Sequence, residues 1–273
     1  MKAMVVDVAR CNGCHNCQVA CKDEHVGNDW APYARPQPNT GQFWARLEER
    51  VRGSVPKVKV AYTLHICQHC RNAPCMSACK QDAIYRREDG AVLIDPGRCK
   101  GEKHCLEACP YGVIFFNEGL QIGQKCTWCA HLLDKGWKVP RCVDACPTAA
   151  LKFGEEAEYK DLIARAELMK PEAKAGPRVY YLGLPKRFIA GAVFDPDEDE
   201  CLQGATVTLT DSGNAKKVTS TLTDQFGDFW FEGLEPGRYS VLIEKKGYAA
   251  RKLAAVDTDS DVNLGDLAMR KES

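Results

Sequence analysis

The chain has 273 residues, and 37 Lys and Arg balance 37 Asp and Glu to a formal net charge of zero. Nothing in that balance points to nucleic acid or an acidic surface as a partner, and no apolar run approaches a membrane span. Sixteen cysteines is far above ordinary usage, with all but Cys201 before residue 147, so a Cys-rich part is followed by a Cys-poor one.

The N-terminus reaches Asp7 and Arg10 after a few apolar residues, which gives no secretory apolar region. The expected compartment is a reducing cytoplasm, where clustered thiols stay free for metal. Export of the folded protein in complex with a signal-bearing partner is the alternative. Met4 to Val8 reads as a short strand leading into the first cysteine run, Cys11, Cys14, Cys17 and Cys21, and Gln18 to His25 as one or two helical turns. Residues 27–60 are rich in Pro, Gly and Arg and read as loop, with Trp30, Tyr33, Phe43 and Trp44 wrapping over the domain or docking on a partner.

The second run is Cys67, Cys70, Cys75 and Cys79. Apolar segments at 83–86 and 91–95 flank Asp89-Gly90 and predict a β-hairpin. The third run is Cys99, Cys105 and Cys109 before Pro110; Val113 to Phe116 reads as a strand turning at Asn117 to Gly119. Cys126, Cys129, Cys142 and Cys146 form the fourth run, closed by a strand from Ala149 to Phe153. Glu155 to Lys170 has helical apolar spacing, with Leu162, Ile163, Ala166 and Leu168, and residues 171–177 read as a linker. From about Phe188 onward alternating segments such as 205–209, 229–231 and 239–243, punctuated by Gly227-Asp228, Pro236-Gly237 and Lys246-Gly247, predict an all-β sandwich.

Three chemistries compete for the cysteines. Disulfides fit poorly, because four crowded CxxC pairs suit metal better than cross-links. Zinc needs only paired knuckles, not a third cysteine three residues on or a C-x3-C-Pro ending. Iron–sulfur clusters need both: the bacterial ferredoxin run is C-x2-C-x2-C-x3-C-P, and its fourth cysteine serves the other cluster of a pair. Cys11, Cys14, Cys17 and Cys21 have that spacing. One short hairpin separates the second and third runs, as in a compact two-cluster ferredoxin. Cys67, Cys70 and Cys75 should therefore share a cluster with Cys109, and Cys99 and Cys105 with Cys79. The outer runs are left to each other: Cys11, Cys14 and Cys17 with Cys146, and Cys126, Cys129 and Cys142 with Cys21. One ferredoxin module is thus inserted into another, and four clusters in a row make an electron conduit.

Glu102 stands where the third run should have its second cysteine. A carboxylate is a harder, weaker iron ligand than a thiolate. The site held by Cys79, Cys99 and Cys105 is therefore expected to carry a 3Fe–4S cluster, or a 4Fe–4S cluster with a labile iron on Glu102, against the alternative of an empty site. The expected cofactors are three 4Fe–4S clusters plus this one. His15, His69 and His104 are ligands, donors to cluster sulfurs or solvent-facing. Lys125 either tunes charge between clusters or is an ordinary solvated lysine. Cys201 is expected to be a small buried hydrophobe, and residues 195–200 a solvated acidic loop. No catalytic residue is expected on this chain.

The four runs resemble those of the iron–sulfur β subunits of the dimethyl sulfoxide reductase family of molybdenum enzymes, over residues 1 to about 154. A resemblance over nearly the whole chain is to the branch containing the pyrogallol–phloroglucinol transhydroxylase and resorcinol-type hydroxylases. Residues 6–8, 23–25, 71–75, 85–90, 124–134 and 177–181 carry it. It implies a large catalytic partner holding a bis-molybdopterin guanine dinucleotide, and chemistry on phenolic aromatics. Electrons would pass to a soluble acceptor or a membrane anchor subunit. The transhydroxylase type lacks the cluster of the third run; this chain keeps Cys79, Cys99 and Cys105, which favours a hydroxylase with net electron flow. The alternative is a respiratory reductase of sulfoxide, polysulfide or arsenate type. Residues 204–205, 223–227, Phe229, Phe231, 234–239 and 246–248 resemble the transthyretin-like, carboxypeptidase-regulatory sandwiches. The expected class is α+β: nested ferredoxin-like modules over 1–154 (the inserted one about 61–124), a helix and linker over 155–187, and a transthyretin-like sandwich over 188–273.

Overall fold

A computed structural model describes residues 1–214 and 216–272. They fall into two compact units: residues 1–49 with 61–184, and residues 50–60 with those from Pro185 on.

The first unit is built on β1 (Lys2–Asp7), whose nearly unbroken apolar sequence suits a central strand covered on both faces. Two further strands, β2 (Ala45–Ser54) and β3 (Lys57–Ile66), pair with each other, and their residues 50–60 belong to the second unit. Between β1 and β2 lies α1 (Asn16–His25). Next in order come α2 (Pro74–Ala78), the hairpin of β4 (Ile84–Arg86) and β5 (Val92–Ile94), α3 (His104–Ala108), and the hairpin of β6 (Phe115–Asn117) and β7 (Ile122–Gln124). They are followed by α4 (Ala130–Leu133), α5 (Arg141–Asp144), β8 (Leu151–Glu155), α6 (Lys160–Arg165) and β9 (Val179–Leu182). β8 pairs antiparallel with β1, Val6 opposite Leu151, and β9 pairs with it in parallel, Met4 opposite Val179. Alternation along β1 sends Met4 and Val6 into the core that contains the cysteines. Ala3 and Val5 face Tyr180, Tyr159, Leu162 and Ile163 on the other side.

Two expectations need correction here. Residues 27–60 are not all loop, because β2 and β3 cover much of that stretch. The charges of 46–52 hid the strand, since only Ala45 and Leu47 alternate inward. Glu155 to Lys170 is not one helix but a 3-10 turn over Glu156–Tyr159 and the six-residue α6. No side chain caps its start, and it ends at Ala166, where the backbone turns extended. Glu167 then exchanges both backbone hydrogen bonds with Tyr181, 2.7 and 2.9 Å, which pairs the open edge of β9. Trp30 and Trp44 do wrap over the domain: Trp44 is buried against His25, and Trp30 stacks on His131 at 4.3 Å.

The second unit is a sandwich. One sheet holds β10 (Arg187–Asp195), β11 (Glu200–Cys201), β14 (Asp228–Leu234) and β17 (Val262–Ala268); the other has the order β13 (Lys217–Leu222), β12 (Thr206–Asp211), β15 (Arg238–Glu244), β16 (Arg251–Asp257). The alternating residues expected to face inward do so: Val207, Leu209, Phe229, Phe231, Val241 and Ile243 share one core. Gly191 lies opposite Phe229, whose ring covers the position a Cβ would take, at 3.0 Å. The hairpin tip is tied in by Arg52 Nη1, which donates to Asp261 Oδ1 at 3.3 Å and to the Lys186 carbonyl at 2.6 Å, and by the Lys57–Asp228 ion pair. Cys201 is exposed, not buried: on the two-residue β11 it points outward while its neighbour Leu202 enters the core. In the acidic loop Asp195 caps the turn, its carboxylate accepting from the Asp197 N–H and the Tyr248 hydroxyl.

Candidate metal centres

Short helices aim the cysteines. In each run the first cysteines lie on a loop with left-handed residues, such as Gly13 and His15, and the last is on or just past a helix. Cys75 is in α2 and Cys79 caps its end; Cys105 is in α3 and Cys109 caps its end. α2 packs on α3 and α1 on α5, so each capping cysteine reaches across to the loop of the facing run. Gly13 is required at its turn: its φ is +75°, and a Cβ would strike the Tyr62 ring.

The fifteen cysteines of the first unit gather into four groups. One cavity is lined by Cys11, Cys14, Cys17 and Cys146, with Tyr62, Leu47 and Leu64. A second is lined by Cys67, Cys70, Cys75 and Cys109, with His69 and Tyr111. A third has Cys79, Cys99 and Cys105 in its wall together with Glu102, His104 and Gln81. Cys21, Cys126, Cys129 and Cys142 are buried together, and Cys129, Cys126 and Cys21 all lie close enough to Cys142 to disfavour its ionisation.

Neighbouring groups adjoin in one order. Cys105 acts on Cys75, Cys67 on Cys126, and Cys17 on Cys142, so the groups form a row from the Glu102 site to the Cys11 site.

Burial makes several of these thiols hard to ionise. Burial first, then neighbouring thiols, pushes Cys70 up to about 12 and Cys105 up to about 11; burial does the same to Cys75, where Lys125 opposes it, leaving it at about 12. Thiols held this way ionise together only around strong positive charge, which ferric and ferrous iron supply. Cys146 is the exception: burial raises it, but backbone N–H groups of Leu151, Ala150 and Thr148 and the Thr148 hydroxyl outweigh that and lower it. Sulfurs also receive backbone donors, Trp128 N to Cys126 Sγ at 3.3 Å and Gly123 N to Cys99 Sγ at 3.4 Å. Among the described residues no three His, Cys, Asp or Glu side chains converge as a site for a lone metal ion. A tetrahedral zinc site needs ligand sulfurs about 2.3 Å from one point. Cysteines ringing a cavity suit instead a core several atoms wide, so the residues fit iron–sulfur clusters.

The sequence left Lys125 open between tuning charge and ordinary solvation, and other contributors escaped it. Lys125 is buried, not solvated; its ammonium donates to the Val92 carbonyl and, at 3.2 Å, to the Cys126 carbonyl. Its charge favours the thiolate of Cys75. His25 lies 4.0 Å from Cys129 Sγ, and burial, then His131, lowers it to about 3, which keeps it neutral. Glu24 binds His131 at 3.0 Å and Arg141 at 3.4 Å beside the same group. Only the Lys125-Cys126 adjacency was legible in advance. Glu102 lies in its cavity wall, exposed, with Oε1 accepting from Gln81 Nε2 at 3.0 Å. His15 starts α1, lining the first cavity, and His104 is exposed in the third. No helix among the described residues is long and apolar enough to cross a membrane.

Comparison with known proteins agrees with this geometry. The 4Fe-4S dicluster domain family matches residues 58–156, and the carboxypeptidase regulatory-like domain family matches residues 189–270. The chain is similar to the pyrogallol hydroxytransferase small subunit of Pelobacter acidigallici, 41% identical across 96% of this chain and 97% of that one. It is 34% identical to a subunit of the tetrathionate reductase of Salmonella typhimurium over 68% of this chain and 74% of the relative. A subunit of the anaerobic dimethyl sulfoxide reductase of Escherichia coli is 34% identical over 66% of this chain and 95% of its own length. With four cysteine groups in a row and a relative matched from end to end, this protein belongs to the 4Fe–4S electron-transfer subunits of the dimethyl sulfoxide reductase family of molybdenum enzymes.

Proposed function

We propose that this chain relays electrons between a molybdenum site on a large partner subunit and an external acceptor, in an enzyme that hydroxylates phenolic aromatics or moves hydroxyl groups between them. The single observation that carries the proposal is the row of four cysteine groups, each beside the next. Cys11, Cys14, Cys17 and Cys146 would hold one cluster; Cys21, Cys126, Cys129 and Cys142 the next; Cys67, Cys70, Cys75 and Cys109 the third. Cys79, Cys99 and Cys105 would hold a 3Fe–4S cluster, or a 4Fe–4S cluster with Glu102 on its labile iron. The clusters supply one-electron redox steps. The chain's own residues exclude water from the inner two groups and set the charge beside them through Lys125 and neutral His25 and His69.

Phenolic substrates are favoured because the hydroxytransferase relative aligns through the sandwich, whereas the reductase relatives align over about two thirds of the chain. Retention of three cysteines at the Glu102 site supports net electron flow, hence a hydroxylase. The bis-molybdopterin guanine dinucleotide would lie on the partner. Purifying the native complex and assaying molybdenum, iron and polyphenol-dependent reduction of an artificial acceptor tests this. A complex that reduces tetrathionate or sulfoxides and ignores polyphenols would favour the respiratory alternative, and a zinc-loaded, colourless protein would end both.

A further inference from the structure

Two buried donors in the wall of the Cys67, Cys70, Cys75 and Cys109 cavity have no partner among the described residues. His69 is fully inaccessible and stacks on Trp128 with 4.0 Å between ring centroids. The backbone N–H of Val92 donates to its Nδ1 at 2.9 Å. A nitrogen that accepts cannot carry a proton, so the neutral ring holds its hydrogen on Nε2. That Nε2–H is buried and unpaired, and so is the hydroxyl of Tyr111. Both residues line the same cavity, and Tyr111 lies close enough to Cys70 and Cys109 for their charge to oppose its ionisation. Buried donors are rarely left unpaired in native proteins.

Resting on the cluster assignment above, we propose that His69 Nε2–H and the Tyr111 hydroxyl donate hydrogen bonds to sulfur atoms of the 4Fe–4S cluster held by Cys67, Cys70, Cys75 and Cys109. The reduced cluster carries one more negative charge, so donors to its sulfur stabilise that form and raise this cluster's potential above what its ligands alone would set. Val92 fixes the tautomer on which the effect depends.

The test is a potentiometric titration of the purified complex followed by electron paramagnetic resonance. His69→Asn places an amide oxygen where Nδ1 accepts from Val92 while removing the Nε2–H; His69→Gln keeps a donor at the Nε2 position; Tyr111→Phe removes only the hydroxyl. His69→Asn and Tyr111→Phe should each shift the reduced-to-oxidised ratio of one cluster about tenfold toward oxidised, roughly 59 mV for one electron. His69→Gln should stay near the native value, and the other clusters should not move. Unchanged potentials at full iron content, or an equal drift of every cluster, would overturn the proposal. A separate control tests its premise: if Cys70→Ala leaves the iron content intact, the ring holds no cluster and the assignment itself fails.

Discussion

Replacing Lys125 by methionine removes a buried positive charge at nearly constant volume, beside two cysteine groups. Two effects follow. The carbonyls of Val92 and Cys126 lose their donor. Buried acceptors left unpaired cost about 1–3 kcal/mol, offset in part because no ammonium is held out of water. The larger consequence is electrostatic. A unit charge about 8 Å from a cluster centre, at an effective dielectric of about 20, contributes about 2 kcal/mol, or roughly 90 mV for a one-electron centre. Loss of positive charge disfavours electron uptake, so the potentials of the clusters proposed at Cys67/Cys70/Cys75/Cys109 and Cys21/Cys126/Cys129/Cys142 should fall, those of the end groups less. Redox titration with resonance detection, on protein checked for full iron content, measures this. A shift smaller than about a quarter of that figure, with iron retained, would refute the idea that Lys125 sets the field between these groups.

Glu102→Cys should complete a four-cysteine set at the Cys79, Cys99 and Cys105 site and abolish any 3Fe signal in the oxidised protein; persistence of that signal would show that position 102 does not reach the missing corner. Gly13→Ala, strained at positive φ by about 1–2 kcal/mol and meeting the Tyr62 ring, should lower iron content by one cluster, and adding Tyr62→Ala should recover part of the loss. In the second unit Arg52 and Asp261 form a largely buried pair, their side chains 9% and 6% accessible. Arg52→Met alone should cost about 3–5 kcal/mol, and Arg52→Met with Asp261→Asn much less, because the lone buried carboxylate is then gone. Calorimetry of the full chain reads both, and equal losses in the single and double variants would contradict the pair's assignment.

What the sequence settled by itself was chemistry that depends on local spacing. Cys11, Cys14, Cys17 and Cys21 follow one loop and one helix, and the x2-x2-x3 interval places three sulfurs on one side and the fourth on the other whatever lies beyond. The alternation through Val207, Leu209, Phe229 and Phe231 likewise names a sandwich face from a period of two. The hairpin of β4 and β5 was legible in Asp89-Gly90.

Tertiary structure decided whatever depends on a partner distant in the chain. Strand β2 was obscured by its arginines and glutamates, of which Arg52 finds its partner Asp261 only in the fold. The long helix expected after Glu155 gave way because the open edge of β9 captured the backbone of Glu167, a contact no helical period records. For Lys125 the sequence left charge tuning and ordinary solvation both open, and the carbonyl of Val92, 33 residues away, decided between them by giving the ammonium somewhere to bind inside the protein. Sequence spacing fixes which atoms can bind iron; only packing fixes the charges and donors around them, because those act through space and not along the chain.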